Sequence, residues 1–263
     1  MANKKVDIEN NLNLIRSLIT KHKRHDRIFA GVGMFIIISL TITLLVLFLD
    51  LVFDGYPRFN LDFLTNFPSR RATAAGILSA WVGSSLVLIV TFFAAVPLGI
   101  AAGVYLEEYA KKNWFSDLIE INVTNLAGVP SIIYGLLALG LFVYGFGLGQ
   151  TILTAGLTLA LLMLPIVIVA TREAIRAIPI HIREAAYAVG ATKWQVSLHH
   201  VIQYSYGGIL TGVIIGMARA IGETAPVITI GALTFIAFLP PSPIGLEPPF
   251  INFEWLEAGF TVL

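Results

Sequence analysis

The sequence has 263 residues, 57% of them hydrophobic and only 13% charged, and a mean hydropathy of +0.83. Soluble domains run at about 45–50% apolar and 25% charged, so a soluble globular chain is excluded and an integral membrane protein is indicated. A net charge of +1 selects no charged partner such as nucleic acid, and the absence of cysteine excludes disulfides, thiolate catalysis and cysteine-ligated metal.

Residues 1–27 form a basic N-terminal segment containing Lys4, Lys5, Arg16, Lys21, Lys23, Arg24 and Arg27. Residues 28–53 follow as the first transmembrane anchor: Ile28 to Leu49 carries no charge and is close to the ~20 residues a spanning helix needs. This run is longer than a signal-peptide core and ends in FLDLVFDGYP without a small-residue cleavage site, so it reads as uncleaved. Residues 72–233 form a core of four further spans. The run from Ala72 to Leu106 is the second span, with Pro97 expected to kink it. Ile121 to Thr171 is charge-free; as one helix it would reach roughly 75 Å against a ~30 Å hydrocarbon core, so it must be two spans. The glycines of GLFVYGFGLGQ (Gly140, Gly145, Gly147, Gly149) supply the turn between them. A fifth span is expected from near Gly207 to about Leu233, with Arg219 near its middle. Residues 234–263 make an extracytoplasmic tail rich in proline and aromatics.

Lysine and arginine near the span ends orient the chain. The basic leader, Lys111 with Lys112, and Arg172, Arg176, Arg183 and Lys193 occupy alternate connections, whereas the opposite side holds only Arg58, Arg70 and Arg71. The N-terminus and a loop at residues 172–206 are therefore expected in the cytoplasm. Glu107 and Glu108, beside Lys111 and Lys112, read as a solvated helix end.

Within the loop, Glu184, Ala185 and Ala186 favour a short helix through Val189, and Gly190 suits the position just past its end. Thr192, with Gln195 three residues later, reads as a capping box that starts a second helix. His181, His199 and His200 lack the carboxylate or cysteine company of a metal site, and no metal is expected. Gly128, Pro130, Ser131 and Tyr134 are placed to break the third span, either beside a pathway or for packing.

The sequence ARAIGETAP puts charge between two apolar runs. A charge at mid-bilayer costs roughly 2.5–3.5 kcal/mol on insertion scales, so Arg219 and Glu223 should face protein or water. Their spacing puts both on one helix face. Gly208, Gly212, Gly216 and Ala220 form an adjacent small-residue stripe that permits close helix packing. Pro226 clashes with the carbonyl of Gly222, so the helix should kink or open and free backbone groups for a substrate. Arg219, Glu223 and Thr224 are the candidate pathway residues. The guanidinium fork suits a phosphate-like oxyanion; the alternative is a purely structural ion pair.

GVPSIIYGLLALG (residues 128–140), REAAYAVGATKWQ (183–195) and MARAIGETAPVI (217–228) together resemble the phosphate ABC transporter permeases of the Pst system, with GETAP closer to the PstA-type than to the PstC-type subunit. The resemblance implies an all-α, polytopic MetI-like helical bundle of the type I ABC importer permeases. In that family Glu184, Ala185, Ala186 and Gly190 correspond to the EAA loop, which docks on a separate ATP-binding subunit. The resemblance also implies movement of inorganic phosphate across a bacterial or archaeal cell (inner) membrane, with roles for Arg219 and Glu223.

The implied partners are a PstC-type second permease, two PstB-type subunits that hold ATP and Mg, an extracytoplasmic PstS-type phosphate-binding protein, and membrane lipid. The sequence contains no G-x-x-x-x-G-K-S/T phosphate loop, so this chain is expected to bind no cofactor and to be no enzyme by itself. Ile202-Gln203 stands where family loops commonly end in Leu-Pro, and the absence of the family's further C-terminal span reads as a truncation. The rivals are the same architecture carrying sulfate, molybdate or tungstate, and a stand-alone intramembrane enzyme or channel.

Overall fold

The computed structural model describes residues 2–71, 73–111, 113–231, 238–244 and 251–260, with side chains from residue 23 onward except that of Arg24. The chain forms two compact units, Met1–Leu61 and Asp62–Leu263. The first is dominated by α1 (Ala2–Gly55). At 1.5 Å per residue its 54 residues span about 80 Å, so its apolar half can cross a ~30 Å hydrocarbon layer while its basic half extends beyond. None of the apolar window within His25–Arg58 is buried against protein, as suits a lipid-facing helix.

In the second unit, the segment after α2 (Leu61–Thr65) is tied to the start of α3 (Leu78–Val104). Trp81 Nε1 donates to the Leu64 carbonyl at 3.0 Å, and the Leu78 amide donates to the Asn66 carbonyl at 3.1 Å. Helix α3 starts later than the expected Ala72, which lies outside the described residues. It runs through Pro97 without a break and continues as a wide π-turn over Tyr105–Tyr109.

Asn113 caps α4 (Trp114–Leu126) by accepting from the Ser116 amide at 3.0 Å. Helix α5 (Ser131–Ala138) extends as a π-helix over Leu139–Gly145, and α4 and this extended α5 are bent by 102° relative to each other. The third span is thus broken and not a straight helix from Ile121. Pro130 has no amide hydrogen and disfavours a helical residue before it. The long charge-free run does divide at the glycine cluster, where Gly147 and Gly149 have φ of +68° and +69°, a region open chiefly to glycine.

Helix α6 (Ile152–Arg176) lies between α3 and α9 (Ile202–Gly222). A Cβ added at Gly99, Gly103 or Gly156 would lie 2.5–2.7 Å from Val167, Thr171 or Val90, so the α3 and α6 backbones approach as closely as small residues permit. Thr91 Oγ1 adds a bond across them to the Gly156 carbonyl at 3.1 Å. One end of this core is completed by the tail, where Trp255 and Phe260 are buried with Leu86, Val87, Ile152 and Leu159. The Ile152 amide donates to the Ala258 carbonyl at 3.0 Å. Of the expected tail, residues 234–237, 245–250 and 261–263 lie outside the described residues.

At the other end come α7 (Ile180–Ala188) and α8 (Lys193–Val196), then a π-turn over Ser197–Val201 that leads into α9. Two expectations need correction here. The loop expected from residue 172 begins only after Arg176, because Arg172 is still helical and buried by ion pairing. The fifth span begins well before Gly207, as the continuous helix Lys193–Gly222, and its helix stops at Gly222. Arg219 therefore sits in the last turn of α9 and not near the middle of a span. The continuation expected to Leu233 passes into residues 232–237, outside the described residues. Among the described residues, four helices are long and apolar enough to cross a membrane, or five spans with the bent α4–α5 pair.

Candidate functional site

Two parts of the molecule carry chemistry. At the first, α9 ends and Glu223 adopts extended backbone (φ −90°, ψ 107°) before α10 (Ala225–Ile230) restarts one turn of helix. Pro226 is the cause, since it occupies the second position of α10 and offers no amide to Gly222. The restarted turn is held against α5: a Cβ at Gly135 would collide with Thr229 Oγ1 and the Pro226 backbone.

Arg219 and Glu223 meet across this break, Nε to Oε1, at 3.3 Å. Arg219 is 40% exposed and Glu223 19%. The contact is monodentate, and among the described residues both Nη groups of Arg219 are left without a hydrogen bond, as is the Thr224 hydroxyl. Tyr134 lies within electrostatic reach of Arg219 and fastens the α4–α5 bend by donating from its hydroxyl to the Leu126 carbonyl at 2.8 Å. Glu223 faces a cleft of about 200 Å³ shared with Trp81, Ser84, Ser85 and Leu88 of α3. The small-residue stripe beneath is turned toward α6. Gly208 faces Ala174, Gly212 faces Ala170, Gly216 faces Met163, and Ala220 is buried at 2% exposure.

The second part is the turn between α7 and α8. Gly190 has φ +87°, and the Ala191 amide closes the helix end onto the Ala186 carbonyl at 3.1 Å. Thr192 and Gln195 form a reciprocal capping box at the start of α8. Ala186 packs inward, while Glu184, Ala185 and Gly190 are exposed. Among the described residues Glu184 pairs with the still more exposed His181, at 3.5 Å. Ile180, Tyr187, Val189 and Trp194 also stand out from the surface of this region.

Sequence reasoning missed what joins this turn to the core. Glu107 and Glu108 are not a solvated helix end. Glu108 is 7% exposed and accepts from Arg183 Nε at 3.0 Å and Nη2 at 2.8 Å. Glu107 pairs with Arg172 at 3.4 Å and with Arg176 at 3.1 Å, and Glu120 of α4 pairs with the same two arginines at 2.7 and 3.1 Å. These side chains gather where α3, α4 and α6 converge. The five residues from Glu107 to Lys111 mix both signs of charge, which sequence alone reads as a water-facing end; only the distant arginines reveal the pairing.

Residues 95–245 match the family of binding-protein-dependent transport system inner membrane components. The phosphate transport system permease protein PstA of Yersinia pestis is 32% identical over 231 residues, covering 85% of this chain and 77% of its own length. PstA of Haemophilus influenzae is 30% identical over 244 residues, covering 91% and 84%. The probable ABC transporter permease protein YqgI of Bacillus subtilis is 33% identical over 210 residues, covering 80% and 67%. A chain of the MetNI methionine ABC transporter, solved in inward-facing conformations, superposes with a TM-score of 0.50 at 20% identity, covering 59% of this chain and 74% of its own. That last likeness concerns the fold alone. The family match over more than half of the chain and the PstA relatives at 30–32% identity show that the chain belongs to the binding-protein-dependent transport system inner membrane component family, on its PstA-type phosphate-permease branch.

Proposed function

We propose that this multi-pass membrane permease passes inorganic phosphate along Arg219, with energy from a separate ATP-binding subunit. The carrying observation is the state of Arg219: one nitrogen is engaged by Glu223, and among the described residues both Nη groups are unused beside an opened helix. Phosphate crossing a low-dielectric region needs a counter-charge, and a planar fork of permanent charge matches its oxygens. Glu223 holds Arg219 when the anion is absent and competes for it when the anion arrives, which keeps binding weak enough for release. Beside the same break Thr224 adds a hydroxyl that makes no hydrogen bond among the described residues.

The exposed turn around Gly190, with Glu184, Ala185 and the apolar Tyr187 and Val189, docks on one of two PstB-type subunits that hold ATP and Mg. A PstC-type permease completes the pathway, and a PstS-type protein delivers phosphate from outside. The excess of Lys and Arg in the leader and in the turn region supports a cytoplasmic position for both, in a bacterial or archaeal cell. This chain itself binds no cofactor and hydrolyses no ATP.

Uptake of radiolabelled phosphate by proteoliposomes that contain the assembled complex tests this reading. Uptake should require ATP and the ATP-binding subunits, and should persist in excess sulfate, molybdate or tungstate. Preferential uptake of another oxyanion, or flux without the ATP-binding subunits, would overturn it.

A further inference from the structure

The geometry points to Glu108 and Arg183 as positioning residues that carry movement of α7 to the anion site, an inference that rests on the docking of α7 proposed above. Arg183 immediately precedes Glu184-Ala185-Ala186 and is 16% exposed. Its Nε and Nη2 hold one oxygen of Glu108, its Nη1 donates to the Ile178 carbonyl at 3.1 Å, and its Nη2 also donates to the Ile175 carbonyl at 3.1 Å. Every guanidinium nitrogen is thus engaged: one bond satisfies the Ile178 carbonyl just beyond α6, and another adds to the Ile175 carbonyl, which also accepts from the Ile178 amide at 3.2 Å. One side chain on α7 grips the last turn of α3 and the end of α6 together.

A buried charge pair of this kind resists opening, because either partner left alone would be a desolvated, unpaired charge. The load passes along a stiff body. Helices α3 and α6 are locked by glycine contacts at Gly99, Gly103 and Gly156, and the far end of α3 supplies Trp81, Ser84, Ser85 and Leu88 to the cleft that holds Glu223. A shift of α7 is therefore carried to the wall of that cleft, beside the α9–α10 break. The exposed Glu184 and Ala185 make no such link and serve the docking face.

The test uses the whole complex in proteoliposomes. Glu108→Ala should retain its membrane abundance and its ATP-binding subunits, while phosphate moved per ATP hydrolysed falls roughly 5- to 150-fold, the range of ordinary coupling between sites. Glu108→Gln, which keeps an acceptor oxygen, should fall less.

Because the chain has no cysteine, the double variant Glu108→Cys with Arg183→Cys can be bridged by a reducible bifunctional thiol reagent in a cysteine-free complex. It leaves no buried charge unpaired. Bridging should restore transport per ATP, and reduction should remove it again in the same sample, even if Glu108→Ala fails to assemble. Equal transport per ATP in the bridged and reduced states, or parental coupling in Glu108→Ala, overturns the transmission. Docking is read separately from cross-linking of Val189→Cys to the ATP-binding subunit in the otherwise parental complex; absence of that cross-link refutes the docking and not the link between α7 and α3.

Discussion

Replacing Arg219 by glutamine separates an anion counter-charge from a structural ion pair. A fully buried pair broken on one side typically costs ~3–5 kcal/mol, whereas an exposed i,i+4 pair is worth about 0.3–0.5 kcal/mol. The contact here is a single Nε to Oε1 approach of 3.3 Å with Arg219 40% exposed, which places it near the weaker class, at ~1 kcal/mol or less. Arg219→Gln should therefore insert and assemble at close to parental abundance. Transport should not survive. Two charge-assisted bonds from the fork to the passing anion, at ~1.5–3 kcal/mol each, correspond to a loss of more than about a hundredfold in rate. Arg219→Lys keeps the charge but gives up one of the two bonds, so uptake should fall roughly ten- to hundredfold. The assay is the initial rate of radiolabelled phosphate uptake, normalised to permease abundance by immunoblot. Near-parental uptake by the double variant Arg219→Gln with Glu223→Gln would refute the counter-charge argument, since neither charge would then be needed.

Gly190→Val meets no neighbouring atom within 4 Å, so its cost comes from a backbone φ of +87°, about 1–2 kcal/mol for a side chain held in the left-handed region. Membrane insertion should be unchanged while ATP hydrolysis uncouples from uptake; parental coupling would contradict a need for glycine at this turn. Gly212→Val forces side-chain carbon into Ala170 and should destabilise by ~1–3 kcal/mol, read as a lower melting temperature in detergent. The exchange Gly212→Ala with Ala170→Gly, which keeps one methyl between the two backbones, should melt near the parent; a parental melting temperature for Gly212→Val would show that the stripe is not tightly packed. For topology, Ser242→Cys should react with an impermeant thiol reagent outside intact cells and Ser17→Cys should not; the reverse pattern would move α7 to the wrong side for ATP.

Local chemistry was legible in the sequence where the controlling residues are neighbours. Gly190 with Thr192 and Gln195 predicts the turn and cap because every partner lies within a few positions. Pro226 likewise predicts the opening beside Glu223, since its clash is with a residue four positions back. The small-residue stripe was legible as a contact face, though not which helix it meets.

Span ends were less legible. Hydropathy marks where lipid can be, while the continuous helix Lys193–Gly222 starts from the capping box at Thr192 and runs through His199 and His200 before the apolar stretch begins. The sequence counts Arg172 among the basic residues that mark a cytoplasmic connection; it stays helical because Glu107 and Glu120, far away in the chain, neutralise it. The Arg183–Glu108 pair was invisible for the same reason, as its partners lie 75 positions apart.

The burial of Trp255 and Phe260 against Leu86 and Val87 also sets a schedule for biogenesis. These partners are separated by most of the chain, and at 5–20 residues per second the ribosome needs on the order of ten to thirty seconds to synthesise the interval. For the later part of that time, once Arg176 has been made, α3 and α6 can already be in the bilayer and zipped along their glycines, with one end of their shared core still unfinished. Lipid or an insertion chaperone must cover it until the tail arrives. The early contacts are local and the last ones have the largest sequence separation, so closure of this end is the slow, late step of maturation.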